Sequence, residues 1–274
     1  MKTVVLTGAS DGVGAAAAKQ LAAQGHRVVV VGRSPERTAE VAARIDAPFY
    51  LADFADLGQV RQLAADLSAA HPRIDVLANN AGGIMGQREL TVDGHEKTFQ
   101  VNHLAPFLLT NLLLPVLTAS EATVIQTSSR AARVFAKFDI DDLQNAHNYR
   151  PQTAYGNAKL ANILFTRELQ QRHGDTGISA VSFHPGIVGT SFAADTTHFM
   201  RRVYHGPLKR LLTITPEKAA ADLVWLATGI PGQTFEAGEY YEARELSAKI
   251  NPDSVNPALA EQLWERSAQL VQAA

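Results

Sequence analysis

Short apolar runs without polar alternation recur along the chain. Each is followed by a stretch whose apolar positions return at helical spacing. Thr3–Leu6, Arg27–Val31, Phe49–Leu51, Ile74–Ala78, Thr123–Thr127, Ile178–Phe183 and Gly238–Glu242 read as strands. Val13–Gln24, Glu36–Arg44, Leu57–Ala70, Val101–Thr118, Thr153–His173 and Pro216–Ala227 read as the helices between them, with Pro257–Gln272 as a terminal helix. Strands apolar on every position are buried on both faces, and a β-then-α order implies parallel pairing through right-handed crossovers. The expected class is α/β, a doubly wound parallel sheet in three α/β/α layers. Ligands of such sheets bind at the carboxyl ends of the strands, so chemistry is sought there.

Composition narrows the picture. There is no cysteine among the 274 residues, which removes disulfides, thiolate catalysis and cysteine-based metal sites. The net charge of −2 offers no basic field for nucleic acid. The 44 alanines favour helix. No stretch approaches 18 apolar residues; the longest candidate, Leu104 to Leu117, is interrupted by Pro106, Thr110, Asn111 and Pro115. No transmembrane segment is therefore expected, and the first apolar run is too short for a signal segment. A cytoplasmic location is the expectation. The histidines show no metal-ligand spacing, and Asp139, Asp141 and Asp142 read as a solvated loop face, so no metal is expected.

The first strand runs into Thr7-Gly8-Ala9-Ser10-Asp11-Gly12-Val13-Gly14, and a helix follows. Glycines there let the backbone approach a pyrophosphate, whose charge the helix N-terminus stabilises. The same residues match the G-x-S-x-G elbow of a serine hydrolase with Ser10 as nucleophile. However, such an elbow needs sheet ahead of it for an oxyanion hole, and six residues precede Thr7. A plain glycine turn is the third reading. After the second strand stands Gly32-Arg33, where an NAD site commonly carries a carboxylate for the ribose. A carboxylate would repel a 2′-phosphate and Arg33 would attract it, which favours NADP(H), with NAD(H) as the alternative; an ordinary exposed cation fits the position too.

Asn79-Asn80-Ala81-Gly82 ends the fourth strand in a turn with room for a ligand. Tyr155 and Lys159 lie one turn apart on one helix face. An ammonium beside a phenol favours the phenolate and fits the tyrosine for proton transfer at a carbonyl or alcohol oxygen. Taken alone the pair is equally a solvated i,i+4 contact.

Together, Thr7 to Gly14, Asn79 to Gly82, Ser128-Ser129, Tyr155/Lys159 and His184-Pro185-Gly186 come in one order that closely resembles the short-chain dehydrogenase/reductase family over nearly the whole chain. Tyr155 to Leu169, His184 to Thr190, Gly238-Glu-Tyr-Tyr241 and Leu263-Trp-Glu265 resemble its retinol-dehydrogenase-like branch. The resemblance implies a single Rossmann-type domain spanning 1–274. It implies Tyr155 as general acid/base, Lys159 as its partner and ribose holder, Ser129 rather than Ser128 as orienter of the substrate oxygen, and Asn102 as holder of a relay water. For the cofactor it implies Gly8, Ser10, Gly12, Val13 and Gly14 under the pyrophosphate, Asp53 and Phe54 at the adenine, Asn80, Ala81 and Gly82 beside the ribose, and Pro185, Gly186, Val188 and Thr190 at the nicotinamide. Asp11 departs from the pattern, standing where NADP-preferring members often carry a basic residue. That leaves Arg33 as the main carrier of the preference.

Residues 130–151 are expected to be a substrate insert and 191–215 a lid. Their apolar side chains suggest a lipophilic carbonyl or alcohol, although they fit core cover as well. Leu160, Ile163, Leu164, Leu169 and the Leu104–Leu117 helix resemble faces that family members pair between subunits, which suggests a homodimer or homotetramer; core packing explains the same residues. A non-catalytic dinucleotide-sensing protein of the same fold is the alternative function.

Overall fold

A computed structural model describes residues 1–186 and 214–272. Seven parallel strands, β1 (Thr3–Thr7), β2 (Arg27–Gly32), β3 (Phe49–Leu51), β4 (Val76–Asn79), β5 (Thr123–Thr127), β6 (Ser179–His184) and β7 (Tyr240–Glu242), form one sheet with a short eighth, β8 (Glu245–Leu246). The order is β3-β2-β1-β4-β5-β6-β7-β8. It reverses between β1 and β4, and a crevice opens there at the carboxyl ends of the strands.

The helices are α1 (Gly12–Ala23), α2 (Pro35–Arg44), α3 (Leu57–Ala70), α4 (Lys97–Ala119), α5 (Ala131–Val134), α6 (Pro151–His173), α7 (Pro216–Thr228) and α8 (Pro257–Gln272). Alternate strand positions supply two cores. Val5, Val29, Leu77 and Val124 face α3, α4, α6 and α8, while Val4, Leu6, Val30 and Ile125 face α1, α2 and α7. Burial on both faces is what the unalternating strands require.

Three local features differ from the sequence expectation. The helix expected from Val101 begins at Lys97, because the buried Glu96 carboxylate caps it, accepting from the backbone N–H of Thr98 and Phe99 at 2.8 Å each. Residues Gln100–Leu104 of α4 form a wider π-helical turn. With the added residues α4 becomes long and apolar enough to cross a membrane by length and composition alone; its most apolar 18-residue window has a mean hydropathy of 1.4, and 61% of that window is buried inside the fold, as in a core helix. The last strand is followed by an antiparallel return, Tyr241 pairing with Leu246. Its two-residue turn puts Ala243 and Arg244 at φ 52° and 65°. Neither is a residue that announces such a turn; Arg244 is held there by Asp222 Oδ1 at 3.0 Å and the Ala221 carbonyl at 3.2 Å on α7.

Of the side chains that suggested subunit pairing, those of α6 are packed within the chain, while Leu112 of the Leu104–Leu117 stretch is 39% exposed. Leu160, Ile163, Leu164 and Leu169 are each at most 2% exposed and share one core with Leu263, Trp264 and Val271 of α8. The expected insert folds as α5 and a loop that returns to α6.

Candidate active site

β1 delivers the glycine loop to the crevice. Thr7 Oγ1 accepts from the N–H of Asn80 and of Ala81 at 3.0 and 3.1 Å, and Asn80 Nδ2 donates to the Thr7 carbonyl at 3.0 Å. The two strand ends are thereby sewn together. Their approach is so close that a Cβ on Gly8 would stand 2.7 Å from Ala81 Cα, and Gly8 has φ +65°. A Cβ on Gly14 would stand 2.3 Å from the Gly8 carbonyl oxygen. Asp11 caps α1, accepting from Gly12 N at 2.7 Å, and the first helical bond runs from Ala15 N to Asp11 O at 3.1 Å. The N-terminal turn of α1 therefore faces a cleft of about 670 Å³ lined by the glycine loop.

The same cleft is lined by Arg33, Asp53, Phe54, Asn80, Ala81, Gly82, Ser129, Tyr155, Lys159, Pro185 and Gly186. Residues gathered from six strand ends thus share one space. Asn102 lies behind it, 1% exposed, with Nδ2 donating to the carbonyls of Gly83 and Thr98 and Oδ1 accepting from Gly83 N. A Cβ on Gly82 would stand 2.4 Å from Asn102 Oδ1 and 3.2 Å from Lys159 Nζ, so glycine is required where these meet. Val188, Thr190 and residues 191–213 of the expected lid lie outside the described residues. Ser10 sits in the glycine loop and makes no hydrogen bond to a histidine among the described residues, so no base for the hydrolase reading is found there.

Lys159 Nζ stands 5.5 Å from the Tyr155 ring centroid and donates to the Thr127 carbonyl at 2.9 Å. Burial away from water pushes the lysine down to about 7. The two serines are divided by their bonds. Ser128, buried, donates its hydroxyl to the Lys159 carbonyl at 2.7 Å. Ser129 faces the cleft, and its Oγ accepts from Ala131 N at 3.1 Å, which leaves its own proton free to be donated. Arg33 is exposed and has no ion-pair partner among the described residues. Asp11, the departure noted in the sequence, faces Arg37 Nη1 at 3.7 Å. Sequence reading passed over Arg37, whose only signal is a cation four residues beyond Arg33.

His184 lines the cleft, 6% exposed, with neither ring nitrogen hydrogen-bonded among the described residues. It and His103 are both pushed down to about 4, chiefly by burial. Unfolding returns each to near 6.5, so the unfolded chain binds more protons between pH 4 and 6.5. Stability is therefore full above about 6.5 and is lost as pH falls toward 4, by about 3 kcal/mol per histidine on 1.36 kcal/mol per unit. Urea midpoints measured from pH 7 to 4.5 should fall steeply over that window; a flat profile would contradict the neutral burial of both rings.

A family model described as short chain dehydrogenase matches residues 2–201. The chain belongs to the short-chain dehydrogenase/reductase family. It is 43% identical over 280 residues, 98% of this chain and 92% of the relative, to the Streptomyces sp. (strain C5) protein named "Putative daunorubicin C-13 ketoreductase DnrU". It is 35% identical over 285 residues to human retinol dehydrogenase 13, covering 98% and 84%. Among solved structures, an uncharacterised Mycobacterium paratuberculosis protein superposes with a TM-score of 0.78 at 30% identity, covering 99% of this chain and 94% of that one. The chain is thus an oxidoreductase of the CH–OH/C=O type, similar to the retinol dehydrogenases, in a family that uses NAD(P)(H).

Proposed function

We propose that the protein is an NADP(H)-dependent reductase or dehydrogenase of a lipophilic carbonyl or alcohol, with Tyr155 as its general acid/base. The observation that carries this is the meeting of Tyr155, Lys159 and the cleft-facing Ser129 in the same cleft that begins at the glycine loop and Arg33.

When bound, the nicotinamide dinucleotide supplies or takes up the hydride. The residues fit such a group: the glycine loop and the α1 N-terminus suit a pyrophosphate, Asn80–Gly82 leave room for a ribose, and Pro185–Gly186 on the cleft wall would help hold the nicotinamide. In reduction, the Tyr155 hydroxyl gives its proton to the substrate oxygen, and in oxidation the phenolate takes it back. The Ser129 hydroxyl donates to that same oxygen as charge develops on it. Lys159, kept dry and anchored on the Thr127 carbonyl, holds an ammonium beside the phenolate and favours it.

The lipophilic substrate is supported by the cleft wall, where Ile84, Met85, Val101, Val134 and Phe135 face the open space. Val134 and Phe135 are 59% and 41% exposed, so this wall offers apolar surface to a ligand in the cleft. The names of the relatives point the same way, one to a ketone on a polycyclic ring system and others to a polyene alcohol. A panel of polycyclic ketones, polyene aldehydes and short polar carbonyls, followed by NADPH absorbance, tests the reading. Preference for short polar carbonyls would overturn the substrate class.

NADP(H) preference is assigned to Arg33, with Arg37 offsetting Asp11. A charge-assisted hydrogen bond contributes about 1.5–3 kcal/mol. Arg33→Ala should therefore weaken NADPH binding by about ten- to a hundred-fold and NADH binding by about two-fold at most. Fluorescence titration with both nucleotides checks this, and an equal loss for the two would remove the 2′-phosphate role.

A further inference from the structure

Lys159 is anchored on a carbonyl that a second side chain also grips. The Thr127 carbonyl accepts from Lys159 Nζ at 2.9 Å and from Asn162 Nδ2 at 3.2 Å. Because the Asn162 amide nitrogen faces a carbonyl, its Oδ1 is turned to His103 Nδ1, 3.4 Å away. An amide oxygen only accepts, so Nδ1 carries the ring proton. Nε2 is then bare and accepts from the Ser267 hydroxyl at 2.9 Å. The donors run in one direction, from Ser267 to His103, from His103 to Asn162, and from Asn162 to the carbonyl that seats the lysine.

Nothing in this chain can be replaced by solvent. His103 and Ser267 are 0% exposed and Asn162 is 2% exposed. The imidazole is enclosed by Phe99, Phe107 and Phe165 at ring distances of 5.1, 6.1 and 6.1 Å. It stays neutral, as the fixed tautomer demands. The π-helical turn explains how neighbouring residues reach two separate sites: Asn102 serves Gly83 and Thr98, while His103 serves α6 and α8. An imidazole wedged among three phenylalanines is poorly explained by packing alone, which a leucine or phenylalanine would supply without a buried polar group to satisfy.

We propose that His103 is a positioning residue for Lys159, acting through Asn162 and the Thr127 carbonyl, with its tautomer set by Ser267 of the C-terminal helix. This rests on the reading of Tyr155 and Lys159 as the proton-transfer pair. Without the His103 donor, Asn162 loses the partner that fixes its amide, and the carbonyl under Lys159 loses its second donor. The lysine then sits less tightly beside the phenol. The glycine loop, Arg33 and the apolar cleft wall are untouched; only the hold of Lys159 on the phenol and the nucleotide is loosened.

Three variants test it: His103→Leu, which keeps the packing volume; His103→Asn, whose amide can still donate to Asn162; and Ser267→Ala, which removes only the tautomer lock. The readouts are kcat and KM on an accepted carbonyl, NADPH affinity by fluorescence, and the pH midpoint of Lys159 acetylation in the unliganded protein, read by mass spectrometry. His103→Leu should lower kcat about ten-fold, leave the substrate KM within about two-fold, weaken NADPH binding no more than Lys159→Met does, and move the acetylation midpoint by about half a unit or more. His103→Asn should restore most of kcat, and Ser267→Ala should cost about two- to three-fold.

An unmoved midpoint with unchanged kcat overturns the proposal. So does an equal loss in His103→Leu and His103→Asn, or a loss of NADPH binding larger than that of Lys159→Met, since either marks a purely structural histidine. If His103→Leu does not fold, Ser267→Ala decides by the same midpoint and kcat. Tyr155→Phe is run alongside. If it keeps full turnover, the proton-transfer reading fails while the acetylation midpoint still judges the hold on Lys159. If it is inactive and the histidine variants behave as wild type, only the present inference fails.

Discussion

Tyr155→Phe should lower kcat for any accepted carbonyl by about 10²- to 10⁴-fold, the range a positioned general acid contributes. Its KM and its NADPH affinity should move little, because phenylalanine keeps the ring that lines the cleft and loses only the hydroxyl. A variant with unaltered turnover would remove Tyr155 from the chemistry and return the protein to the nucleotide-sensing reading. The pH dependence carries a second expectation. Burial holds Lys159 down to about 7 in the unliganded protein. Its ammonium is therefore present below about 7 and is lost as pH rises. The kcat/KM for NADPH reports groups on the unliganded enzyme, so it should fall above about pH 7 if the ammonium is what receives the nucleotide and favours the phenolate. Lys159→Met should abolish that limb while leaving the glycine loop intact.

The sheet was legible because its strands have nothing to hide: Val4 to Leu6 and Val28 to Val31 are apolar at every position, and the structure buries both faces. The edges of α3, β5 and α8 were readable from Asp56, the Thr123–Thr127 run and Pro257, which carry their own start signals. Other features had no local signature. The π turn of α4 depends on what Asn102 and His103 each find across the fold, and the β7–β8 turn is held at positive φ by a contact from Arg244 to α7. In the cleft, residue types could be read but partners could not. Nothing in Ser128-Ser129 shows which hydroxyl is spent on the Lys159 carbonyl. The carbonyl of Thr127, which seats the lysine, is invisible to any motif because every residue has one. Arg37 opposite Asp11 is a matter of helix placement, and a sequence gives it only as one cation among 25 Lys and Arg.

The largest stability effect should follow Trp264→Ala. Trp264 of α8 lies 8% exposed against Phe107 of α4 and Phe165 of α6, at ring distances of 5.1 and 5.6 Å. The Arg172 guanidinium covers it at 4.8 Å. Truncating a buried tryptophan costs about 3–5 kcal/mol, the transfer of its surface plus the cavity it leaves. For a chain of this size that amounts to a fall of about 10 °C in the thermal midpoint. The remaining polar ties of α8 are Arg172 to Glu265 at 2.9 Å and Arg266 to Asp141 at 3.6 Å on the surface, Arg61 to the Val271 carbonyl, Ser267 to His103, and the Leu270 carbonyl to His95 at 3.2 Å. An exposed ion pair contributes little, so the tryptophan and its apolar neighbours hold the helix. Beneath α8 lie Leu160, Ile163, Leu164 and Leu169, the side chains that read in sequence as a subunit face. Loosening the helix would expose them together, and a patch of that kind seeks a partner. Light scattering should therefore show Trp264→Ala associating on warming well below the wild-type midpoint, at concentrations where the wild type does not. A midpoint within about 2 °C of wild type would mean that α8 is not what covers this face.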